Sequence, residues 1–261
     1  SAALQITSFS IQRVGSTINC IPGRSLLYNQ PMPPSTSSAL RWLRRETLGN
    51  LFLIAILFGI VGRWDWWPGW ALSAIYILWS VLTAAFILPV HPEMLAERAR
   101  IHPDQRKWDL TLLWLMGVAM LLEYTLACLD VRLGWTGPLP LGVHLGGLAL
   151  AFIGYDLLLV WSMVTNAFFV ATYRIQSERQ HAVVSSGPYH WVRHPGYLGT
   201  ILMHLGVSFL LGSLWALIPG MLAAAVLVIR TALEDKALHA ELPGYSDYAA
   251  RVRWRLLPGV W

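Results

Sequence analysis

The chain has 261 residues, 56% of them hydrophobic and only 13% charged, with fourteen Trp and a mean hydropathy of +0.51. Ordinary soluble domains carry about 25% charged residues, so this composition excludes disorder and argues against a water-soluble enzyme in favour of an integral membrane protein. The formal charge of +5 has the sign that suits nucleic acid, and the placement of the basic residues decides what it means.

Residues 1–40 are rich in Ser, Thr, Pro and Asn, and no acidic residue precedes Glu46. They lack the apolar run of a secretory signal and read as a flexible polar tail of bacterial type, in preference to an organellar transit peptide. From Leu48 the chain becomes a series of apolar segments, each needing about 20 residues to cross a bilayer core. The first covers Leu48 to Val61 and continues through Trp64, Trp66 and Trp67; the second, Trp70 to Leu88, starts after the turn signal Pro68-Gly69, so the two form a helical hairpin. The third is Leu110 to Leu129, and the fourth, Leu141 to Thr172, is long enough to tilt or project beyond the membrane. The last block, Tyr197 to Ile229, is too long for one span and is divided by Gly212-Ser213. The expected fold is an all-α transmembrane bundle of about six spans, with four helices in 41–172 and the remaining polar chemistry in 173–261. Cys20 and Cys128 fit neither a disulfide framework nor a zinc site.

Placing both termini in the cytoplasm puts 17 basic residues on that side and leaves Arg63 and Arg132 outside. The basic excess therefore reads as orientation, with contact to anionic membrane lipids, and not as nucleic-acid binding. A multi-pass protein of a bacterial inner membrane fits this pattern. Seven of the eight His lie in or near the same connections or beyond them, which makes the cytoplasmic side the functional one.

Between the fourth and fifth spans stand Arg174-Ile-Gln176, His181-Ala182-Val183-Val184, Gly187-Pro-Tyr189 and Arg193-His194-Pro195-Gly196-Tyr197. Gly permits close backbone approach and Pro fixes the path, so the combination reads as a ligand cradle, although each residue alone suits an interfacial turn. Farther on, Arg230 and Glu234 are four residues apart and share a helical face. Ionisable groups at a membrane boundary are costly unless paired or used, and this pair suits a ligand carrying both charge signs. Two carboxyls fall within spans: Glu123 is placed near the outer interface, and Asp156 is expected to hydrogen-bond between helices. Asn166, at the cytoplasmic end of the fourth span, is placed to line an acceptor path. Tyr245, Tyr248 and Trp254 are expected to dock a final amphipathic helix.

The pattern His181-x-Val-Val-x-x-Gly187-Pro-Tyr189-x-x-x-Arg193-His194-Pro195-x-Tyr197, then Arg230-x-x-x-Glu234-Asp235 and Leu242-Pro-Gly-Tyr245-x-x-Tyr248, resembles the isoprenylcysteine carboxyl methyltransferase family of membrane enzymes. Residues 174–258 carry the resemblance, and Pro92 to Arg98 is similar to a segment of bacterial members. The resemblance implies a catalytic region over 173–261 that uses S-adenosylmethionine and no metal. It implies cofactor contacts at Gln176, His181, Ala182, Val183, Val184, Tyr189, His194, Pro195, Gly196, Tyr197 and Glu234, and a catalytic, acceptor-holding role for Arg230, beside which Asn166 is read as substrate-binding. Two departures are Glu234-Asp235, where many relatives carry consecutive glutamates, and a Gln176-to-His181 spacing shorter than in eukaryotic members. The acceptor implied is lipophilic and enters from the bilayer; a prenylcysteine-like carboxylate, a small thiol and a phospholipid amine all stay open. Two readings from other classes also stay open, a membrane reductase of the sterol-reductase type using a reduced nicotinamide and a noncatalytic membrane subunit.

Overall fold

A computed structural model describes residues 36–94 and 105–261. The expected tail therefore lies almost wholly outside the described residues, as do Leu95 to Arg98 of the bacterial-type segment. Within them the chain is helical and forms no strand. The helices are α1 Thr36–Val61, α2 Trp67–Ile87, α3 Lys107–Leu133, α4 Leu141–Thr165, α5 Pro195–Leu211, α6 Leu217–Glu241 and the short α7 Tyr245–Arg251. Four of them, α2, α3, α4 and α6, are long and apolar enough to cross a membrane, and α5 is a shorter apolar helix. The other expected span is the C-terminal part of α1, whose first half carries Arg41, Arg44, Arg45 and Glu46.

The outside of the bundle is as apolar as its inside. On α3, Trp114, Leu115, Val118, Leu121 and Leu122 are exposed, whereas Glu123 and Asp130 are buried with Ala119, Ala127 and Cys128. Such inversion is stable only where the surrounding solvent is hydrocarbon and every backbone polar group is satisfied within a helix. The chain is an integral membrane protein.

Two helix ends differ from the sequence expectation. Helix α4 stops at Thr165 instead of running to Thr172, because Asn166 leaves helical geometry and its Oδ1 accepts the Phe168 N–H at 2.9 Å. This local turn competes with the next helical hydrogen bonds. Helix α6 runs on to Glu241, so Arg230, Glu234 and Asp235 sit on a membrane helix and not after it.

Helices α4 and α5 lie unusually close. A Cβ at Gly154 would stand 2.3 Å from the carbonyl oxygen of Gly199, and one at Gly147 would stand 2.3 Å from the backbone nitrogen of Leu210. Small residues let two membrane helices touch backbone to backbone, where van der Waals contact replaces the hydrophobic effect. This contact fixes the entrance of α5, which begins at the Arg193-His194-Pro195 motif.

Inside the bundle, the interhelical bond expected of Asp156 is made by Glu123 instead. Fully buried Glu123 on α3 bridges to α5, with Oε2 2.7 Å from His204 Nδ1 and Oε1 accepting from Ser208 Oγ at 3.1 Å. Asp156, expected to make the interhelical bond, is buried on α4 with neither carboxyl oxygen hydrogen-bonded.

Candidate active site

The segment from Asn166 to His194 closes one end of the bundle and meets the end of α6 and helix α7. Asn166, besides making its turn, donates from Nδ2 to Tyr189 Oη at 3.3 Å, which ties the loop's start to its Gly-Pro-Tyr turn. That turn, Gly187–His190, is one short helical turn with Pro188 near its start, where a missing N–H costs nothing. Gly187 has φ +56, and a Cβ there would lie 2.7 Å from Thr165 Oγ1, so two separate constraints select glycine.

Behind the loop is a charged clamp centred on Asp235. Its Oδ1 accepts from Arg193 Nε at 2.7 Å and Tyr245 Oη at 2.9 Å; its Oδ2 accepts from Arg193 Nη2 at 3.0 Å and Arg255 Nε at 2.8 Å. His194 Nε2 lies 3.4 Å from the same carboxylate. Arg193 uses its remaining donor nitrogen on the carbonyls of Val252 and Arg253, both at 2.8 Å. Its backbone N–H and that of His194 donate to Trp254 and Arg255 carbonyls at 2.9 Å. The motif arginine is thus a bolt between α5, α6 and the C-terminal segment. Burial disfavours its charge, and the two bonds to Asp235 outweigh that and raise the Arg193 pKa.

The neighbouring carboxylate faces the other way. Glu234 accepts from Tyr197 Oη at 2.5 Å, lies 3.8 Å from His194 Nδ1, and lines an open cleft. Around it the cleft is walled by Asn166, Phe168, Phe169, Tyr173, Arg174, His181 to Val184, Tyr189, Arg193, His194, Gly196, Tyr197, Leu238 and Leu242, among others. Phe168 stacks on His181 with ring centroids 4.4 Å apart, while the Arg179 guanidinium carbon is 5.4 Å from the centroid of the same Phe168 ring. Burial, reinforced by Arg179 and Arg174, pushes the His181 pKa down to about 4. Its Nδ1 faces the Gln176 N–H at 3.4 Å, the geometry of a neutral acceptor ring. Tyr189 is held protonated: burial drives its pKa up, against the opposing hydrogen bond from Asn166. The cleft therefore contains one carboxylate, Glu234, among aromatic rings and aliphatic walls, with Arg174 and Arg193 also on its lining, Arg193 bound to Asp235 and Arg174 to Glu178.

Nine of the expected cofactor contacts and Asn166 come together here: His181, Ala182, Val183, Val184, Tyr189, His194, Gly196, Tyr197 and Glu234. Three expected site residues stand behind the surface. Gln176 is fully buried, its Nε2 donating to the Phe168 carbonyl at 2.9 Å and its Oε1 accepting from Arg179 Nη1 at 2.5 Å, so it braces the loop. Pro195 is buried at the first position of α5. Arg230 is buried, its Nε donating to Asp109 Oδ1 at 2.7 Å and its Nη2 to the Ala171 carbonyl at 2.6 Å. The expected partner of Arg230, Glu234, is replaced by Asp109, because Tyr197 stands between them: the guanidinium lies 5.1 Å from the Tyr197 ring centroid.

Asp109 is the site's unforeseen member. It sits in the first turn of α3, is fully buried, and also accepts the Tyr173 N–H through Oδ2 at 2.7 Å. The one sequence signal was a carboxylate at a span end with a distal arginine to neutralise. Phe168, Phe169, Tyr173 and Leu238 carry no sequence signal, because an apolar wall has no motif. Tyr245 and Tyr248 are buried as expected, Tyr248 Oη donating to the Tyr189 carbonyl at 2.7 Å, so α7 docks onto the back of the cleft.

Residues 147–240 match the isoprenylcysteine carboxyl methyltransferase family. The match starts on α4 where it meets α5 and ends within the last turn of α6, so it contains Glu234, Asp235 and the whole loop between α4 and α5. A stretch of 120 residues is also 32% identical to the Cobalt-zinc-cadmium resistance protein CzcN of Cupriavidus metallidurans, covering 45% of this chain and 49% of that protein. The chain thus spans about half the length of this curated relative. The family resemblance read from the motifs holds over this region.

Proposed function

We propose that the protein is a membrane methyltransferase that moves a methyl group from S-adenosylmethionine to a lipophilic acceptor reaching the cleft from the bilayer. The observation that carries this reading is the lone cleft carboxylate, Glu234, set among aromatic rings and aliphatic walls, most of them within the region of the family match, while the two lining arginines are engaged by Asp235 and Glu178. That donor set fits the cofactor: Glu234 for its amino group, the rings of Phe168 and Tyr189 for flat or sugar surfaces, and Val183, Val184, Leu238 and Leu242 for a shielded sulfonium. His181, held neutral, adds no positive charge to repel that sulfonium, and the charges of Arg174 and Arg193 on the lining are balanced by Glu178 and Asp235.

When bound, S-adenosylmethionine supplies an electrophilic methyl group. The chain supplies position and dryness. Tyr197 holds Glu234 by its hydroxyl, and the Asp235 clamp fixes α5 against α6, so the cleft walls keep their spacing. Holding two reactants in line is worth up to about 7–11 kcal/mol of the barrier, and a wall of aliphatic side chains keeps competing water away. Arg230, tied to Asp109 and Ala171 behind Tyr197, acts in this reading as a positioning residue for the Tyr197–Glu234 pair, while Asn166 lies on the acceptor's path. The basic asymmetry of the loops supports a cleft facing the cytoplasm of a bacterial inner membrane, with both termini on that side.

Incubating the purified protein and native lipid extract with methyl-labelled S-adenosylmethionine tests the reading. Label is expected in an extractable apolar product, whose chemistry identifies a carboxylate, thiol or amine acceptor. Reduction by a nicotinamide nucleotide, with no label transferred, would replace this reading with the reductase.

A further inference from the structure

Among the described residues, the buried side-chain polar atoms without a hydrogen bond are Trp42 Nε1, Trp79 Nε1, Thr83 Oγ1 and the two carboxyl oxygens of Asp156. They are not scattered. All belong to α1, α2 and α4, none of them lines the cleft, and each of the four side chains is at least nine-tenths buried. Trp42 and Trp79 belong to one continuous cluster with Ile87, Leu159, Val160 and Met163. Thr83 lies one turn after Trp79 and one turn before Ile87 on α2, so the stripe 79-83-87 faces that cluster. Asp156 lies three and four residues before Leu159 and Val160 on α4, both members of that cluster, so it shares their face of the helix. The four side chains thus face one seam between the helices.

The backbone is altered at the same place. Thr83–Ile87 on α2 and Phe152–Leu159 on α4 are wound as π-helix, and they hold Thr83 and Asp156. A π segment gives up regular α-helical packing and recurs at functional sites. An unmade hydrogen bond on a buried polar group costs about 1–3 kcal/mol, and the chain gathers several such groups where its helices are widened.

The chemistry of the set limits its ligand. Two indole N–H groups can only donate, so an ammonium ion, which has no lone pair, leaves them unsatisfied. An anion would be repelled by Asp156. A hydroxyl both donates and accepts, and so answers a carboxyl and an indole together. We infer that the seam between α1, α2 and α4 is an internal binding site for an uncharged hydroxylic ligand, whose O–H donates to Asp156 and whose oxygen accepts from an indole N–H, with Thr83 as a further partner. Water and the hydroxyl of an alcohol dissolved in the membrane share this chemistry. The site goes beyond the methyl-transfer reading, and its test uses neither cofactor nor turnover.

The experiment uses the full chain in detergent, with two readouts. Infrared difference spectra of wild type minus Thr83→Val, taken in water and in water labelled with heavy oxygen, report internal water as O–H bands that shift with the isotope and vanish in the variant. Thermal unfolding with 1-decanol against decane reports the alcohol: decanol is expected to raise the wild-type Tm by about 2–4 °C over decane and to leave Asp156→Leu unchanged. Thr83→Val keeps the shape of the side chain, so the infrared readout survives if Asp156→Leu fails to fold. Isotope-sensitive bands alone assign the site to water, and a decanol-specific shift assigns it to an alcohol. Absence of both signatures overturns the inference.

Discussion

Glu234 and Asp235 are adjacent on α6, yet they belong to two regions built on opposite plans. Around Asp235 both carboxylate oxygens have fixed partners: Arg193, Arg255 and Tyr245 converge on one group with 1% of its side chain exposed. Around Glu234 the cleft offers a carboxylate, a few hydroxyls and ring faces, with a single close protein partner in Tyr197. The first arrangement is complete and holds the fold; the second has acceptor capacity and apolar surface left for a ligand. A one-residue step along a helix turns a side chain by about 100°, enough to separate a structural carboxylate from a binding one.

The comparison breaks most visibly at the clamp. Asp235→Ala leaves the buried Arg193 guanidinium without its counterion, and removing one partner of a buried pair costs about 3–5 kcal/mol. Thermal unfolding in detergent is expected to show a large fall in Tm. An Asp235→Ala protein as stable as wild type would mean that the two carboxylates are not divided between fold and ligand as described.

A smaller effect is expected at Asp109 and Arg230, which are 121 residues apart and joined at 2.7 Å. Asp109→Asn and Arg230→Lys each disturb the same fixed contact, so the double variant should be less destabilised than the sum of the singles. A coupling of about 0.5–3 kcal/mol is the scale for residues in one salt-bridge network. Strict additivity would return Arg230 to the acceptor-binding role that its motif position implies.

The smallest effect concerns His181. Its folded pKa of about 4 lies below the ordinary imidazole value of 6.5. As pH falls through 6.5 the unfolded chain takes up a proton that the folded protein does not, so stability declines until about pH 4 and levels off below it. His181→Gln should flatten that part of the pH–stability curve. An unchanged slope would show that the ring is protonated in the cleft, against the neutral state described for it.

Much of this was legible in the sequence, for physical reasons that also mark where legibility ends. Long apolar runs located the helices because a bilayer demands them, and Gly212 marked the break between α5 and α6 because it holds a left-handed φ of +81. The end of α4 was misplaced by seven residues because Asn166 replaces helical bonds by its own turn, a competition that hydropathy does not register. The cradle motif carried nine of the residues that meet in the cleft. The resemblance implies ligand contacts at Gln176 and Arg230, and the structure shows both buried, with Gln176 Nε2 bonded to Phe168 and two of the Arg230 nitrogens bonded to Asp109 and Ala171. Such pairings join distant segments, as Arg193 and Asp235 do across 42 positions, and no local pattern encodes them. That Glu123 and not Asp156 makes the interhelical bond has the same origin: each reads as a carboxyl within a span, and only His204 and Ser208 distinguish them.

The central claim is that Glu234 makes the cleft a cofactor site without being needed for the fold. Titration calorimetry of S-adenosylmethionine into wild type and Glu234→Gln, with Tm recorded for both, tests it most directly. Binding to wild type is expected, weakened on the order of tenfold or more in the variant, since a charged hydrogen bond contributes about 1.5–3 kcal/mol, at nearly unchanged Tm. Wild-type protein that binds no S-adenosylmethionine at millimolar concentration would contradict the account.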